Sequence, residues 1–254
     1  MKRWKCIIQY DGSMFYGFQI QRNKRTVQGE IEKVLTRMNK GKHVRITASG
    51  RTDSGVHAVG QVFHFDTAAA NLSASDWKKA LNAQLPEDIF IKDVQEVSTD
   101  FHARYNVKEK EYRYYVQHTK EIDIFRRKYV YHFPYHLNME KILLGCSLLE
   151  GTHDFTTFSS PKATVKGDKV RTIYEATCKQ EGEDIIFIFR GSGFLYNMVR
   201  IMVGVLLDIG QGKFEPEDIP LLLEKKNRQL VGKTIDSHGL YLWSVKYDDP
   251  KSNS

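Results

Sequence analysis

The apolar residues of this chain change period in a fixed order, and that order limits the fold more than any other feature. Lys5 to Tyr10 alternates at period two and stops at Asp11-Gly12, the mark of a strand running into a turn. From Thr26, which can cap a helix, the period becomes 3.6: Val27, Ile31, Val34, Leu35 and Met38 share one face. Val44 to Ser49 and Val59 to Phe65 read as strands. A helix from Ser73 or Ser75 runs to Leu85 before Pro86, and Ile89 to Val97 is strand-like. The order is β-α-β-β-α-β, the split βαβ or ferredoxin-like arrangement.

The second half repeats that order without repeating the residues. Glu111 to His118 is a Tyr-rich strand and Met139 to Leu149 a helix with Ile142, Leu143, Cys146 and Leu149 inward. Thr172 to Lys179 and Asp184 to Phe189 form a hairpin around Gly182. Leu195 to Ile209 reads as a buried helix, Pro216 to Lys225 as a short extra one, and Leu240 to Tyr247 as a closing strand. The expected fold is α+β: two ferredoxin-like halves, residues 1–107 and 108–254, with antiparallel sheets flanking a central catalytic cleft. The polar stretch Thr152 to Lys169 is too long for an ordinary connection, and loops of that length are usually functional or mobile.

Composition narrows the partners. Of 254 residues, 41% are hydrophobic, which excludes a disordered chain, and 27% are charged, which excludes a membrane-embedded one. The longest apolar stretch, Phe194 to Ile209, is interrupted by Asn197 and Arg200 and falls short of the ~20 residues that span a bilayer. Cys6, Cys146 and Cys178 form no CxxC pair, which suits a reducing compartment and argues against a thiolate metal site. A soluble cytoplasmic protein is expected. The net charge of +7 points to a polyanionic partner. Met1 to Val107 carries 16 basic and 11 acidic residues against 22 and 20 in the remainder, so the N-terminal half is the better polyanion face.

The most unusual segment is Thr47-Ala48-Ser49-Gly50-Arg51-Thr52-Asp53-Ser54-Gly55-Val56-His57-Ala58. It leaves a strand, sets glycines on both sides of a carboxylate, and places an arginine two residues before it. Glycines let the backbone approach a ligand closely, and an arginine at that spacing can grip a phosphate while Asp53 reaches the reacting atom. The structural alternative is a capped turn, since Asp and Gly are ordinary turn residues.

This segment closely resembles the catalytic motif of the TruA-type tRNA pseudouridine synthases, written G-R-T-D-A-G-V-H-A. Tyr10-Asp11-Gly12, Gly17-Phe18-Gln19-Ile20-Gln21 and Thr26-Val27-Gln28 resemble that family's N-terminal signature. Phe101-His102-Ala103-Arg104 and Lys110-Glu111-Tyr112-Arg113-Tyr114 resemble the start of its second half. Phe194-Leu195-Tyr196-Asn197-Met198-Val199-Arg200 and Gly239-Leu240-Tyr241-Leu242 complete the set in family order.

The resemblance implies a cofactor-free and metal-free isomerase. It would act as a homodimer on the anticodon stem-loop of tRNA, turning uridine into pseudouridine at positions 38, 39 and/or 40. Asp53 would be the carboxylate that attacks ring carbon C6 or sugar C1′. Tyr112 would lie against the uracil and take part in proton transfer, with an in-facing strand aromatic as the alternative. Arg200 would be the basic partner of the aspartate, since an arginine inside an apolar helix should be paired, with an arginine snorkelling to the surface as the alternative. Arg51 would help hold the extruded nucleotide, with a structural ion pair as the alternative. Ser54 replaces the more usual alanine and can add a hydrogen bond, and Ser159 to Lys169 has no clear counterpart.

The rivals are a passive RNA-binding protein, which has no use for Asp53 near phosphates, and a carboxylate-pair glycosidase, for which Asp53 lacks an obvious second acid. His132 and His136 straddle Pro134 without a third ligand, so no metal is expected there. Gly191-Ser192-Gly193 lacks the Gly-Lys-Ser/Thr of a phosphate loop. Arg22-Lys24-Arg25, Arg126-Arg127-Lys128 and Lys108 with Lys110 are candidate RNA tracks.

Overall fold

A computed structural model describes residues 1–68, 72–161 and 168–248. The chain mixes α and β and divides into two compact units: residues 1–108 with 241–254, and residues 109–240.

In the first unit the elements are β1 (Lys2–Tyr10), α1 (Val27–Met38), β2 (Ile46–Ala48), β3 (His57–Thr67), α2 (Ala74–Asn82) and β4 (Ile89–Val97). β1 lies between β4 and β3, antiparallel to both, and β2 pairs antiparallel with β3. The strand order is thus 4-1-3-2. The other edge of β3 is shared, because β10 (Leu240–Tyr247) runs parallel to its first residues, setting Tyr241 opposite His57 and Leu242 opposite Ala58. Trp4, Phe63, Phe65, Trp77, Ile31 and Leu35 fill the core under the helices. The Thr26 side chain caps α1 by accepting from the Gly29 amide, and Ser73 with Asp76 forms a reciprocal capping box on α2. β1 and β3 are longer than expected and β2 shorter, with the Ser49 amide continuing its ladder to the Val62 carbonyl at 2.8 Å.

The second unit holds most of β5 (Val107–Gln117), then β6 (Tyr131–His132), α3 (Met139–Ser147), β7 (Gly151–Asp154), β8 (Val170–Glu181), β9 (Asp184–Gly191), α4 (Met198–Gly210) and α5 (Asp218–Lys225). The strands run β5-β9-β8-β7, each antiparallel to its neighbour, with the expected tight hairpin at Gly182 joining β8 to β9. Phe155, Phe158, Phe187 and Phe189 are fully buried, and α4 is buried nearly all round.

Three expectations need correction. Leu143, expected to face inward on α3, is 44% exposed, while Ile142 and Cys146 fill the inner face. The helix expected from Leu195 begins at Met198, because Asn197 takes a left-handed φ of 62° that ends any helical run before it. The stretch expected to be a loop from Thr152 starts as strand β7 against β8. It then buries Phe155, Thr157, Phe158 and Ser159, with the Thr157 hydroxyl donating to the Leu222 carbonyl. The phenylalanines lie three residues apart and both turn inward, a signal that the polar composition around them hid. Residues 162–167 of that stretch lie outside the described residues. No helix among the described residues is long and apolar enough to cross a membrane.

Candidate active site

Asp53 stands on the loop from β2 to β3, half-buried, with its carbonyl accepting from the Val56 amide at 3.2 Å. The loop is clamped by the segment that follows β1. The Tyr10 and Thr52 hydroxyls share a 2.8 Å hydrogen bond, the Phe18 amide donates to the Thr52 carbonyl at 3.1 Å, and the Gly55 amide donates to the Phe15 carbonyl at 3.3 Å. Burial pushes the Tyr10 phenol up, so it stays a hydroxyl and can hold this bond.

Two glycines make the clamp sterically feasible. A Cβ on Gly12 would stand 2.1 Å from the Val56 carbonyl oxygen, and one on Gly17, where φ is +91°, would stand 2.9 Å from that of Thr52. Ser54 makes the bond expected of it, donating to the Phe15 carbonyl at 3.2 Å.

His57 closes the far end of the loop. Its ring is buried and stacks on Tyr241 with centroids 4.7 Å apart. Its Nδ1 accepts from the Gly12 amide at 3.0 Å, so that nitrogen keeps its lone pair. The Asp11 carboxylate lies 3.2 Å from the same atom and also caps the turn, accepting from the Ser13 amide at 2.9 Å. Upstream, Gln61 accepts from the Ser49 hydroxyl at 2.6 Å and donates to the Gly50 carbonyl at 3.0 Å, which fixes where the loop departs. Arg51 is exposed, and among the described residues its guanidinium makes no ion pair.

Tyr112 and Arg200 belong to the second unit. Tyr112 lies on β5 opposite Phe189, is 9% exposed, and meets Phe194 edge to face at 5.0 Å. Arg200, in the first turn of α4, donates from Nε to the Ile235 carbonyl at 2.7 Å and from Nη1 to the Asn197 side chain at 2.9 Å. The structure thus sets Arg51 and Asp53 on one loop of the first unit, and Tyr112 and Arg200 on two elements of the second.

Beside Tyr112 lies a charge ladder that sequence reasoning missed. Buried Glu111 accepts from Arg113 at 2.7 Å and from Arg190 at 3.2 Å, and Arg190 also donates to Glu175 at 2.7 Å. Glu111, Arg190 and Glu175 sit opposite one another across β5, β9 and β8, with Arg113 two residues along β5, where such pairs are in reach. The strand register needed to see this is not written in the sequence.

Each of the three candidate RNA tracks has a member in an ion pair, Lys108 with Asp248 at 3.0 Å among them. Arg25 holds Asp88 with two bonds of 2.6 and 2.8 Å and stands 4.1 Å over the Phe15 ring, so it builds the clamp. Arg126 is held by Asp184. Lys24 instead lies 4.2 Å over the half-exposed ring of Tyr16.

Residues 6–106 and 146–248 match the tRNA pseudouridine synthase family, and the chain belongs to it. It is 57% identical to the tRNA pseudouridine synthase A of Oceanobacillus iheyensis over 253 residues, covering 100% of both chains. Against the Geobacillus kaustophilus protein of the same name the identity is 57% over 248 residues, 98% of this chain and 95% of that one. Against the tRNA pseudouridine synthase A 1 of Bacillus cereus it is 55% over 249 residues, 98% and 100%. A solved structure, the crystal structure of a Cbf5-Nop10-Gar1 complex, superposes with a TM-score of 0.33 at 13% identity, over 80% of this chain and 54% of that one.

Proposed function

We propose that this protein converts uridine to pseudouridine at positions 38, 39 and/or 40 of the tRNA anticodon stem-loop, with Asp53 as the attacking carboxylate. The observation that carries the reading is the Asp53 loop itself: Phe15 and Phe18 hold its backbone from one side, Tyr10 holds the Thr52 hydroxyl, and Gln61 fixes its departure. That clamp leaves little freedom to an acid flanked by glycines, which is what covalent catalysis asks of a nucleophile.

The reaction breaks the N1–C1′ bond, turns the uracil, forms C5–C1′ and moves the C5 proton to solvent while N1 gains one. Product and substrate are isomers, so no oxidant, reductant or co-substrate enters the balance. Attack at ring C6 or at sugar C1′ both need an anionic oxygen, and Asp53 supplies it. Tyr112 offers a phenol for the proton step, Arg51 a fork for the phosphate of the displaced nucleotide, and Arg200 a positive charge for the aspartate. A cytoplasmic homodimer formed of two ferredoxin-like halves, residues 1–107 and 108–254, completes the reading. The 4-1-3-2 order of the first unit and the β5-β9-β8 order of the second support those halves.

Mapping pseudouridine, base by base, in tRNA incubated with the purified protein tests it. Modification at one or more of the three positions is expected. Absence of pseudouridine there, with modification elsewhere in the tRNA, would overturn the site assignment.

A further inference from the structure

On the β2 side of the first unit an open hollow of about 400 Å³ is lined by His43, Arg45, Thr47, His64 and His102, with Arg3 and Asp66 at its wall. Its chemistry is one-sided. His64 accepts the Ala103 amide at Nδ1, 3.1 Å away. His102 accepts two amides at Nδ1, those of Arg104 and Tyr105, each at 3.2 Å. With Nδ1 occupied as an acceptor, each neutral ring carries its hydrogen on Nε2 and keeps only a donor for anything else. Burial keeps His64 neutral, its pKa lowered to about 4.

The one carboxylate on the wall is already used. Asp66 takes Arg3 Nε and Nη2 on its two oxygens, both at 2.7 Å. Arg45 is exposed at the rim, and among the described residues its guanidinium has no hydrogen bond or ion pair. His43 stands 3.3 Å from Glu32, whose carboxylate already receives the Gln28 amide group at 2.8 Å and the Ile46 amide at 3.0 Å. The hollow therefore offers several N–H donors, a hydroxyl and the positive charge of Arg45, and its one carboxylate is already held by Arg3.

We infer that this hollow is a phosphate site, and that it takes one phosphodiester of the RNA on which the Asp53 loop acts. The inference rests on the proposed function. Two observations favour an RNA phosphate over a free one. Tyr105 is 74% exposed and lies parallel on the His102 ring at 4.2 Å, a platform on which a neighbouring base can stack. Arg45 and His43 also border a second hollow with Gln19 and Ile20, next to the Phe18 amide that clamps the Asp53 loop, so one pair of side chains serves both depressions. His64 lies seven residues along β3 from His57, roughly 23 Å at strand spacing. The phosphate held is thus remote from the reacting base, and its binding positions the substrate without touching the chemistry.

The test measures tRNA affinity against salt for wild type, for Arg45→Gln with His43→Gln, and for Tyr105→Ala. Lys33→Gln, an exposed lysine outside the hollow, controls for the loss of a charge. The double variant should bind about threefold to tenfold more weakly at low salt. Its salt slope should fall by about one unit, the value of one lost phosphate contact, with the control unchanged. Tyr105→Ala should weaken binding without changing the slope. In parallel, imidazole nitrogen resonances of His64 and His102 are followed with a stem-loop RNA and with inorganic phosphate alone. Movement with the RNA supports the assignment. Wild-type affinity and slope in the double variant would overturn it, as would histidine signals that answer only inorganic phosphate. A protein that shows the slope change but makes no pseudouridine would refute the isomerase reading and leave the phosphate site standing.

Discussion

The hydroxyls of Tyr10 and Thr52 meet at 2.8 Å in a buried bond that ties the end of β1 to the residue preceding Asp53. Removing one partner strands the other. Tyr10→Phe should leave the Thr52 hydroxyl without its partner and cost about 1–2 kcal/mol. Because the loss falls next to Asp53, turnover should drop more than tRNA affinity. Urea unfolding and single-turnover rates check both parts; unchanged kinetics in a destabilised variant would make the bond purely structural.

Asp53→Asn keeps the size and turn capacity of the residue and removes its charge. Circular dichroism should be normal and tRNA binding equal or slightly tighter, since a repulsion towards phosphates is gone. No pseudouridine should form even at enzyme excess. Turnover at a tenth of the wild-type rate or more, about 1.4 kcal/mol of barrier, would show that Asp53 is not the nucleophile.

For Tyr112→Phe the ring and its edge contact with Phe194 remain while the phenol is lost. Fold and tRNA affinity should be retained and turnover strongly slowed. Wild-type turnover would confine Tyr112 to packing.

Much of the fold was legible because its signals are local. The Thr26 cap, the Val27–Leu35 face and the Gly182 hairpin each lie within a few residues of chain, and all three are present. What stayed hidden depends on partners far apart in sequence. Nothing in the chain says that Arg25 will close on Asp88, or that the Gly12 amide will find the His57 ring. The Asp53 motif could be noticed from its own residues, but its clamp could not, since Tyr10, Phe15 and Phe18 reach it only through the fold. The left-handed turn at Asn197 was missed for another reason: the apolar run through it is a good helix in every respect except one backbone angle.

The two arginines of the first candidate track should part company when mutated. Arg22→Glu with Lys24→Glu should weaken tRNA binding generally and flatten the salt dependence, because both side chains are exposed. Arg25→Gln should instead lower stability, by roughly 1–3 kcal/mol for its charged hydrogen bonds. A binding defect in Arg25→Gln without destabilisation would return it to the RNA track.

Acid should act on this fold through His64, and through His238, whose pKa burial also lowers. Burial, then the Arg3 charge, lowers the His64 pKa from 6.5 to about 4. Between those values the unfolded chain binds a proton that the folded protein refuses, so stability falls as pH drops through that window and is unaffected above it. Asp66, held below the usual carboxylate range by its bonds from Arg3, adds its loss only at still lower pH. Urea midpoints from pH 7 to pH 4 should slope less steeply in His64→Gln than in wild type. Equal slopes would place the acid sensitivity elsewhere.

The stack of His57 on Tyr241 has a consequence for the order in which a ribosome can finish this protein. The second unit is one uninterrupted stretch of chain, whereas the first is completed only by residues that follow it. Growing chains generally fold their N-terminal parts first. Here the edge of β3 at the base of the Asp53 loop stays open until Tyr241 and Leu242 have been made. A nascent chain stopped after Leu240 should therefore show a protease-resistant second unit and a first unit cut near His57. The part of the protein written earliest would then be the part that sets last.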